Sequence, residues 1–194
     1  MSTVPFGPSA LATPANAVTV ARVLATPVLL GMILGSGASW PALALWIVLS
    51  STDWVDGWLA RRQGVTRSGA FLDPLADKFL VLGAMYALVA EGVYWWLPVS
   101  LIAVREIAIS VYRTWMGKQG VSIPARWWAK VKTVVQQVAV AFALLPVATG
   151  GAQVVAKVGL WAGVGLALFT GSQYLLDARR VFAAEHPPAP GHAV

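Results

Sequence analysis

The sequence contains no cysteine and only two histidines among its 194 residues. The absence of cysteine excludes disulfide bonds and thiolate metal sites. Charged residues are also scarce, at 11% of the chain, against roughly a quarter of residues in soluble proteins. Because 58% of the residues are hydrophobic, the composition is typical of a protein that lies in lipid.

Long stretches of the chain carry no charge, for example between Arg22 and Asp53 and between Lys132 and Lys157. A membrane-spanning helix needs about 20 mainly apolar residues. The sequence therefore predicts an all-α, polytopic membrane protein, in which residues 1–184 form one domain and 185–194 a disordered tail. Its six predicted membrane-spanning helices cover residues 16–36, 40–63, 70–91, 94–117, 125–147 and 152–179.

Lys and Arg residues alternate in their placement along the predicted connections. The segments 35–41, 91–94 and 148–152 contain none, whereas basic residues cluster at the opposite helix ends. The positive-inside rule then places both termini in the cytoplasm, with the protein in the membrane that bounds it. Anionic lipid explains the net charge of +6 better than nucleic acid does. Because the first fifteen residues contain no Lys or Arg, we expect no cleaved signal peptide.

Four of the eight acidic residues lie within 25 positions, at the predicted cytoplasmic ends of the second and third helices. They are Asp53, Asp56, Asp73 and Asp77. Each pair is three or four residues apart and shares one helix face. Ionisable residues at membrane depth indicate function.

Four clustered carboxylates raise one another's pKa unless cations compensate their charge. Oxygen ligands without histidine or cysteine favour Mg²⁺ or Mn²⁺ over zinc. Two such ions about 3.5–4 Å apart can clamp the attacking and leaving oxygens in phosphoryl chemistry. The aspartates thus predict two divalent cations and a phosphoryl-transfer reaction.

A longer motif surrounds the aspartates, and it resembles the signature of the CDP-alcohol phosphotransferase family. The linker between Arg61 and Gly69 is one residue shorter than is usual there, and the likeness covers roughly residues 14–145. The residues that carry it are Asp53-x-x-Asp56-Gly57-x-x-Ala60-Arg61 and then Gly69-x-x-x-Asp73-x-x-x-Asp77.

The resemblance implies that the four aspartates bind two metal ions, with Asp77 also the general base. It further implies that Arg61 contacts the diphosphate of a CDP-linked lipid. The residues that would line the CDP site are Gly57, Ala60 and Gly69. Thr19 lies in a segment that resembles the family's first helix and would approach the nucleotide, although a lone Thr more commonly caps a helix.

A second polar set lies on the fourth and fifth helices and predicts an anion pocket, although some of its members could simply be positive-inside residues. The predicted pocket residues are Arg105, Arg113, Arg126, Lys130 and Lys132. A basic pocket suits an acceptor that carries a phosphate, such as glycerol 3-phosphate.

The residues around Arg105 and Lys132 also resemble bacterial phosphatidylglycerophosphate synthases. The implied reaction transfers a phosphatidyl group from CDP-diacylglycerol to glycerol 3-phosphate, and the resemblance suggests a homodimer. Phosphatidylglycerol and inositol phosphate remain alternative acceptors. A divalent-cation transporter is a distant alternative, because carboxylates also line ion pathways.

Overall fold

The structure is a computed structural model that describes the backbone of residues 14–63, 69–118, 127–147 and 150–185. Side chains are described for residues 17–52, 75–116, 127–147 and 150–177. Within these ranges the chain forms six α-helices and no strand, which confirms the all-α prediction. The helices are α1 Pro14–Ser36, α2 Trp40–Gln63, α3 Gly69–Ala90, α4 Trp96–Lys118, α5 Trp127–Ala143 and α6 Gly150–Glu185.

Two glycines with positive φ end α1 and α3. Gly37 has a φ of 63°, and its N–H donates to the carbonyl of Ile33 over 2.8 Å. Gly92 has a φ of 71° and is followed by a bond of 2.9 Å from Val93 N–H to Leu88 O. Such left-handed glycines satisfy the last carbonyls of a helix. They turn the chain sharply into α2 and α4.

The helices pack as one bundle. Helix α1 contacts both α2 and α3, while α6 packs along α5 and also contacts α4. Helix α3 reaches α4 and α5 as well, so it lies near the centre. The core consists of fully buried side chains such as Leu29, Trp46, Met85, Leu144 and Leu160.

Many large apolar side chains also lie on the outside of the bundle. Leu24, Val104 and Trp127 are 70%, 67% and 68% exposed, whereas soluble proteins rarely expose large contiguous apolar patches. Two of the described helical segments, Ala17–Ser36 and Gly150–Asp177, are long and apolar enough to cross a membrane. A shorter apolar helical segment covers Trp40–Thr52.

Helix α6 is longer than the sequence predicted. It contains 36 residues and includes Glu185, the first residue of the predicted tail. At about 1.5 Å per residue it is longer than the roughly 30 Å hydrocarbon core of a bilayer. The remaining tail residues, 186–194, lie outside the described part of the chain.

Candidate active site

The signature residues lie on the two helices that the sequence predicted. Asp53 and Asp56 belong to the second half of α2, and Asp73 and Asp77 to the first half of α3. Their helical spacing puts each pair on one face of its helix. The side chains described by the structure include only Asp77 of the four. Those of the other signature residues, Asp53, Asp56, Gly57, Ala60, Arg61, Gly69 and Asp73, lie outside the described ranges.

Helix α1 is attached to α2 immediately before the first signature aspartate. The Arg22 guanidinium, on a side chain 1% exposed, donates from Nε to Thr52 Oγ1 over 3.2 Å. Thr19 is also buried, one turn before Arg22. Because Thr19 is the sixth residue of α1, it is not a helix cap, and that alternative interpretation of it was wrong. Arg22 therefore places a polar group on the face of α1 that meets α2, and Thr19, three residues earlier, lies on the same side of the helix.

Asp77 lines a small polar cavity between α3, α4 and α5. The cavity volume is about 20 Å³, room for one water-sized group. Its other polar walls are Lys78, Glu106, Lys132, Thr133 and Gln136. A predicted catalytic carboxylate and a predicted acceptor-binding lysine therefore share one space.

Two charged residues of this cavity, Glu106 and Lys132, form an ion cluster with Arg105. Glu106 Oε1 accepts a hydrogen bond from Lys132 Nζ and another, of 2.9 Å, from Arg105 Nη1. The Lys132 side chain is 6% exposed and that of Glu106 is 13% exposed. Buried charges need partners of opposite sign, and this cluster supplies them across α4 and α5.

The remaining residues of the predicted anion pocket differ in their surroundings. Arg113 on α4 and Lys130 on α5 are exposed, whereas Lys132 is buried. Arg126 lies outside the described residues. The structure thus brings Arg105 and Lys132 together around Glu106, and the assignment of all five to an acceptor phosphate stays a prediction.

An apolar groove runs beside the polar cavity. Its volume is about 580 Å³, and apart from Lys78 and Tyr86 its walls are apolar. Lys78 and Leu82 line both spaces. Surface suited to hydrocarbon therefore directly adjoins the charged groups near Asp77.

Sequence reasoning did not assign a site role to Lys78 or Gln136. Lys78 directly follows Asp77, and that position was a signal that could have been used. Gln136 is 3% exposed, and its Nε2 has no hydrogen-bond partner among the described residues. Its place at the cavity depends on how α5 packs against α3 and α4, which the sequence does not show.

The donor chemistry of the signature fits hard divalent cations. All four predicted ligands are carboxylates, and helical spacing pairs them on two helices. The described side chains alone contain no group of three or more acidic, histidine or cysteine residues. A metal site here therefore depends on Asp53, Asp56 and Asp73, and it stays a prediction.

A comparison with protein families decides the classification. The model of the family described as CDP-alcohol phosphatidyltransferase matches residues 12–169, which include every signature residue. The chain belongs to this family. The predicted resemblance is therefore confirmed, and α1 to α5 and more than half of α6 fall within the family's boundaries.

Relatives within the family carry more specific names. The "Probable phosphatidylglycerophosphate synthase" of Mycobacterium tuberculosis is 39% identical over 181 residues, which cover 90% of this chain and 85% of the relative. The "CDP-diacylglycerol--glycerol-3-phosphate 3-phosphatidyltransferase" of Escherichia coli K12 is 42% identical over 133 residues, which cover 65% of this chain and 73% of the relative. Both names describe the reaction that the sequence predicted.

Proposed function

We propose that this family member transfers a phosphatidyl group from CDP-diacylglycerol to sn-glycerol 3-phosphate. The products are CMP and phosphatidylglycerophosphate, an intermediate of anionic phospholipid synthesis. The names of the two relatives support this reaction, and the family match covers the signature and the helices around the polar cavity.

One structural observation carries the assignment to this chain. Asp77, the last aspartate of the signature, lines the same cavity as Lys78 and Lys132. A carboxylate can accept a proton from an alcohol, and ammonium groups can bind the phosphate of that alcohol. The apolar groove that adjoins the cavity supports a lipid as the second substrate.

The four signature aspartates would hold two Mg²⁺ or Mn²⁺ ions. When bound, these ions would neutralise the carboxylates and the diphosphate of the lipid substrate. Arg61 would bind the same diphosphate with its planar array of donors. Small residues at Gly57, Ala60 and Gly69, together with Thr19 on α1, would leave room for the CDP group.

The reaction proposed is a direct displacement. The Asp77 carboxylate takes the proton from the 1-hydroxyl of glycerol 3-phosphate, and the hydroxyl oxygen attacks the β-phosphorus. The bond from this phosphorus to the bridging oxygen breaks, and CMP leaves with that oxygen. Lys132 holds the acceptor phosphate, so that the hydroxyl is oriented toward phosphorus. No covalent phosphatidyl-enzyme forms on this route.

The bundle would lie in the bacterial cytoplasmic membrane with both termini and the active site in the cytoplasm. Helices α1 to α4 contain 22–24 residues, enough for a span of about 30 Å at about 1.5 Å per residue. The exposed apolar side chains support lipid around the bundle. Six spans and a homodimer remain predictions.

An assay that supplies each acceptor separately to the purified protein tests the reaction. The protein, reconstituted with CDP-diacylglycerol and Mn²⁺, receives glycerol 3-phosphate, phosphatidylglycerol or inositol phosphate, and CMP release is measured. We expect CMP release with glycerol 3-phosphate. CMP release with phosphatidylglycerol or inositol phosphate but not with glycerol 3-phosphate would contradict the proposal. Radiolabelled lipid trapped covalently on the protein would contradict the direct displacement.

A further inference from the structure

Arg105 is bound on three sides inside the protein. Its Nε donates to the carbonyl of Ala167 over 2.8 Å, and its Nη2 donates to Thr170 Oγ1 over 2.8 Å. Its Nη1 donates to Glu106 over 2.9 Å, and the side chain is 12% exposed. Two of the three acceptors belong to α6, so this helix fixes the direction of a guanidinium group that originates on α4.

Helix α6 is shaped to receive the guanidinium. The Thr170 hydroxyl donates to the carbonyl of Leu166 over 2.7 Å, so its oxygen can accept from Arg105. At Gly171 an added Cβ would lie 3.2 Å from Arg105 Nε, closer than ordinary van der Waals contact. The Thr170 hydroxyl and the space left by Gly171 therefore form a binding position for the Arg105 guanidinium, which we call the guanidinium seat.

The fixed guanidinium in turn holds Glu106. The carboxylate oxygen that accepts from Arg105 also accepts from Lys132, on α5. A lysine side chain has four flexible carbons and three N–H donors, of which Glu106 takes one. The chain of contacts from Thr170 through Arg105 and Glu106 thus restricts where the Lys132 ammonium lies in the cavity beside Asp77.

We propose that Arg105, Glu106 and Thr170 are positioning residues that hold the Lys132 ammonium ready for the phosphate of the acceptor alcohol. This inference rests on the proposed function. A side chain fixed before binding loses less entropy when the ligand arrives, so the arrangement strengthens binding of the acceptor. In this proposal Arg105 acts through Glu106 and Lys132, in contrast to the direct contact with the phosphate that the sequence predicted.

The test removes the α6 end of this chain of contacts. Thr170→Val keeps the size of the side chain and removes the oxygen that accepts from Arg105, whereas Thr170→Ser keeps that oxygen. With purified reconstituted protein, we expect Thr170→Val to raise the KM for glycerol 3-phosphate about twofold to tenfold, the equivalent of one hydrogen bond. The kcat and the KM for CDP-diacylglycerol should change less than twofold, and Thr170→Ser should match the unaltered protein.

A double mutant separates positioning from general support of the fold. In a Lys132→Ala background there is no ammonium left to position, so adding Thr170→Val should not raise the KM further. Multiplying effects of the two changes would overturn the proposal. Ile33→Val, a buried change near the C-terminal end of α1, controls for lost stability. It should lower the melting temperature and leave the KM for glycerol 3-phosphate unchanged.

The two proposals fail in different ways. If the unaltered protein releases no CMP with glycerol 3-phosphate, the proposed function itself is wrong. If it is active and Thr170→Val has an unaltered KM for glycerol 3-phosphate, only the positioning role is wrong.

Discussion

Arg22 donates a hydrogen bond from its buried guanidinium to Thr52 Oγ1 over 3.2 Å, and Thr52 is followed by Asp53. The Thr52 hydroxyl itself donates to the carbonyl of Leu49 over 2.7 Å, so its oxygen faces Arg22 as an acceptor. This contact joins α1 to α2 at the point where the signature begins. The position of Asp53 therefore depends on a residue that lies before the signature.

We expect Thr52→Val to destabilise the protein and to lower the rate of CMP release. The valine removes an acceptor from a buried cation, which costs about 1.5–3 kcal/mol. The melting temperature in detergent and a CMP-release assay would measure the two effects. Thr52→Ser, which keeps the acceptor, is the matched control. A Thr52→Val protein that equals the unaltered one in both assays would show that this contact does not support the site.

Asp77→Asn should abolish turnover. The amide keeps the size of the side chain but cannot take a proton from the acceptor hydroxyl. CDP-diacylglycerol binding, followed by equilibrium binding of labelled lipid, should be retained in part. Turnover above about 1% of the unaltered rate would remove Asp77 as the general base, since a positioned base contributes about 10²–10⁴-fold.

Removal of divalent cations should also abolish activity. The proposed cation site has only carboxylate ligands, so a chelator added to the purified protein should stop CMP release. Addition of Mn²⁺ or Mg²⁺ in excess of the chelator should restore it, while added Ca²⁺ serves as a comparison for ion size and geometry. Full activity in the presence of chelator would contradict a role for metal ions.

Lys132→Ala should raise the KM for glycerol 3-phosphate about tenfold or more, because a charged hydrogen bond contributes about 1.5–3 kcal/mol. Lys157→Ala is the matched control, since Lys157 is an exposed lysine near the N-terminal end of α6. Steady-state kinetics with each substrate varied in turn would locate the effect. An equal rise in the KM for CDP-diacylglycerol would place Lys132 at the lipid substrate instead.

Gly159→Ala should destabilise the contact between α5 and α6. An added Cβ at Gly159 would lie 3.0 Å from Ala139 Cβ, whereas one at Gly165 would meet nothing within 4 Å. Overpacking costs about 1–3 kcal/mol, while alanine in place of an unopposed helical glycine stabilises by up to about 1 kcal/mol. Melting temperatures should therefore fall for Gly159→Ala and stay equal or rise for Gly165→Ala. The reverse order would contradict the observed helix contact.

The lack of cysteine makes the predicted topology directly testable. Single cysteines at Glu91 and Gly151 should react with a membrane-impermeant maleimide in intact cells, since both positions are exposed at the proposed outer face. A cysteine at Arg179 should react only after the cells are opened. The unaltered protein is a blank, because it contains no thiol. Labelling of Arg179→Cys in intact cells would contradict the proposed orientation.

The helices themselves could largely be predicted from the sequence, because uncharged stretches with polar boundaries define them. The prediction of 40–63 for α2 agrees fully. Helix α5 ends at Ala143 and not at residue 147, since Pro146 lacks an N–H and disfavours helical geometry at the residue before it. Helix α4 begins at Trp96 and not at 94, because the left-handed turn at Gly92 extends the connection.

The candidate site could be predicted only in part. The spacing of the aspartates and the charge of Lys132 predicted site residues on the second, third and fifth helices, because such signals are local in sequence. The pairing of Glu106 with both Arg105 and Lys132 depends on the register between α4 and α5. The seat for Arg105 on α6 depends on a contact between residues 65 positions apart. Neither of these contacts can be inferred from a periodic pattern in one sequence.

The guanidinium seat on α6 has a consequence for how this enzyme could be altered. The family match ends at residue 169, one position before Thr170. A substitution at Thr170 or Gly171 leaves every aspartate of the signature in place and acts on the ion cluster through Arg105. Acceptor affinity could thus be adjusted, by selection or by design, through residues that no comparison of the shared motif would single out.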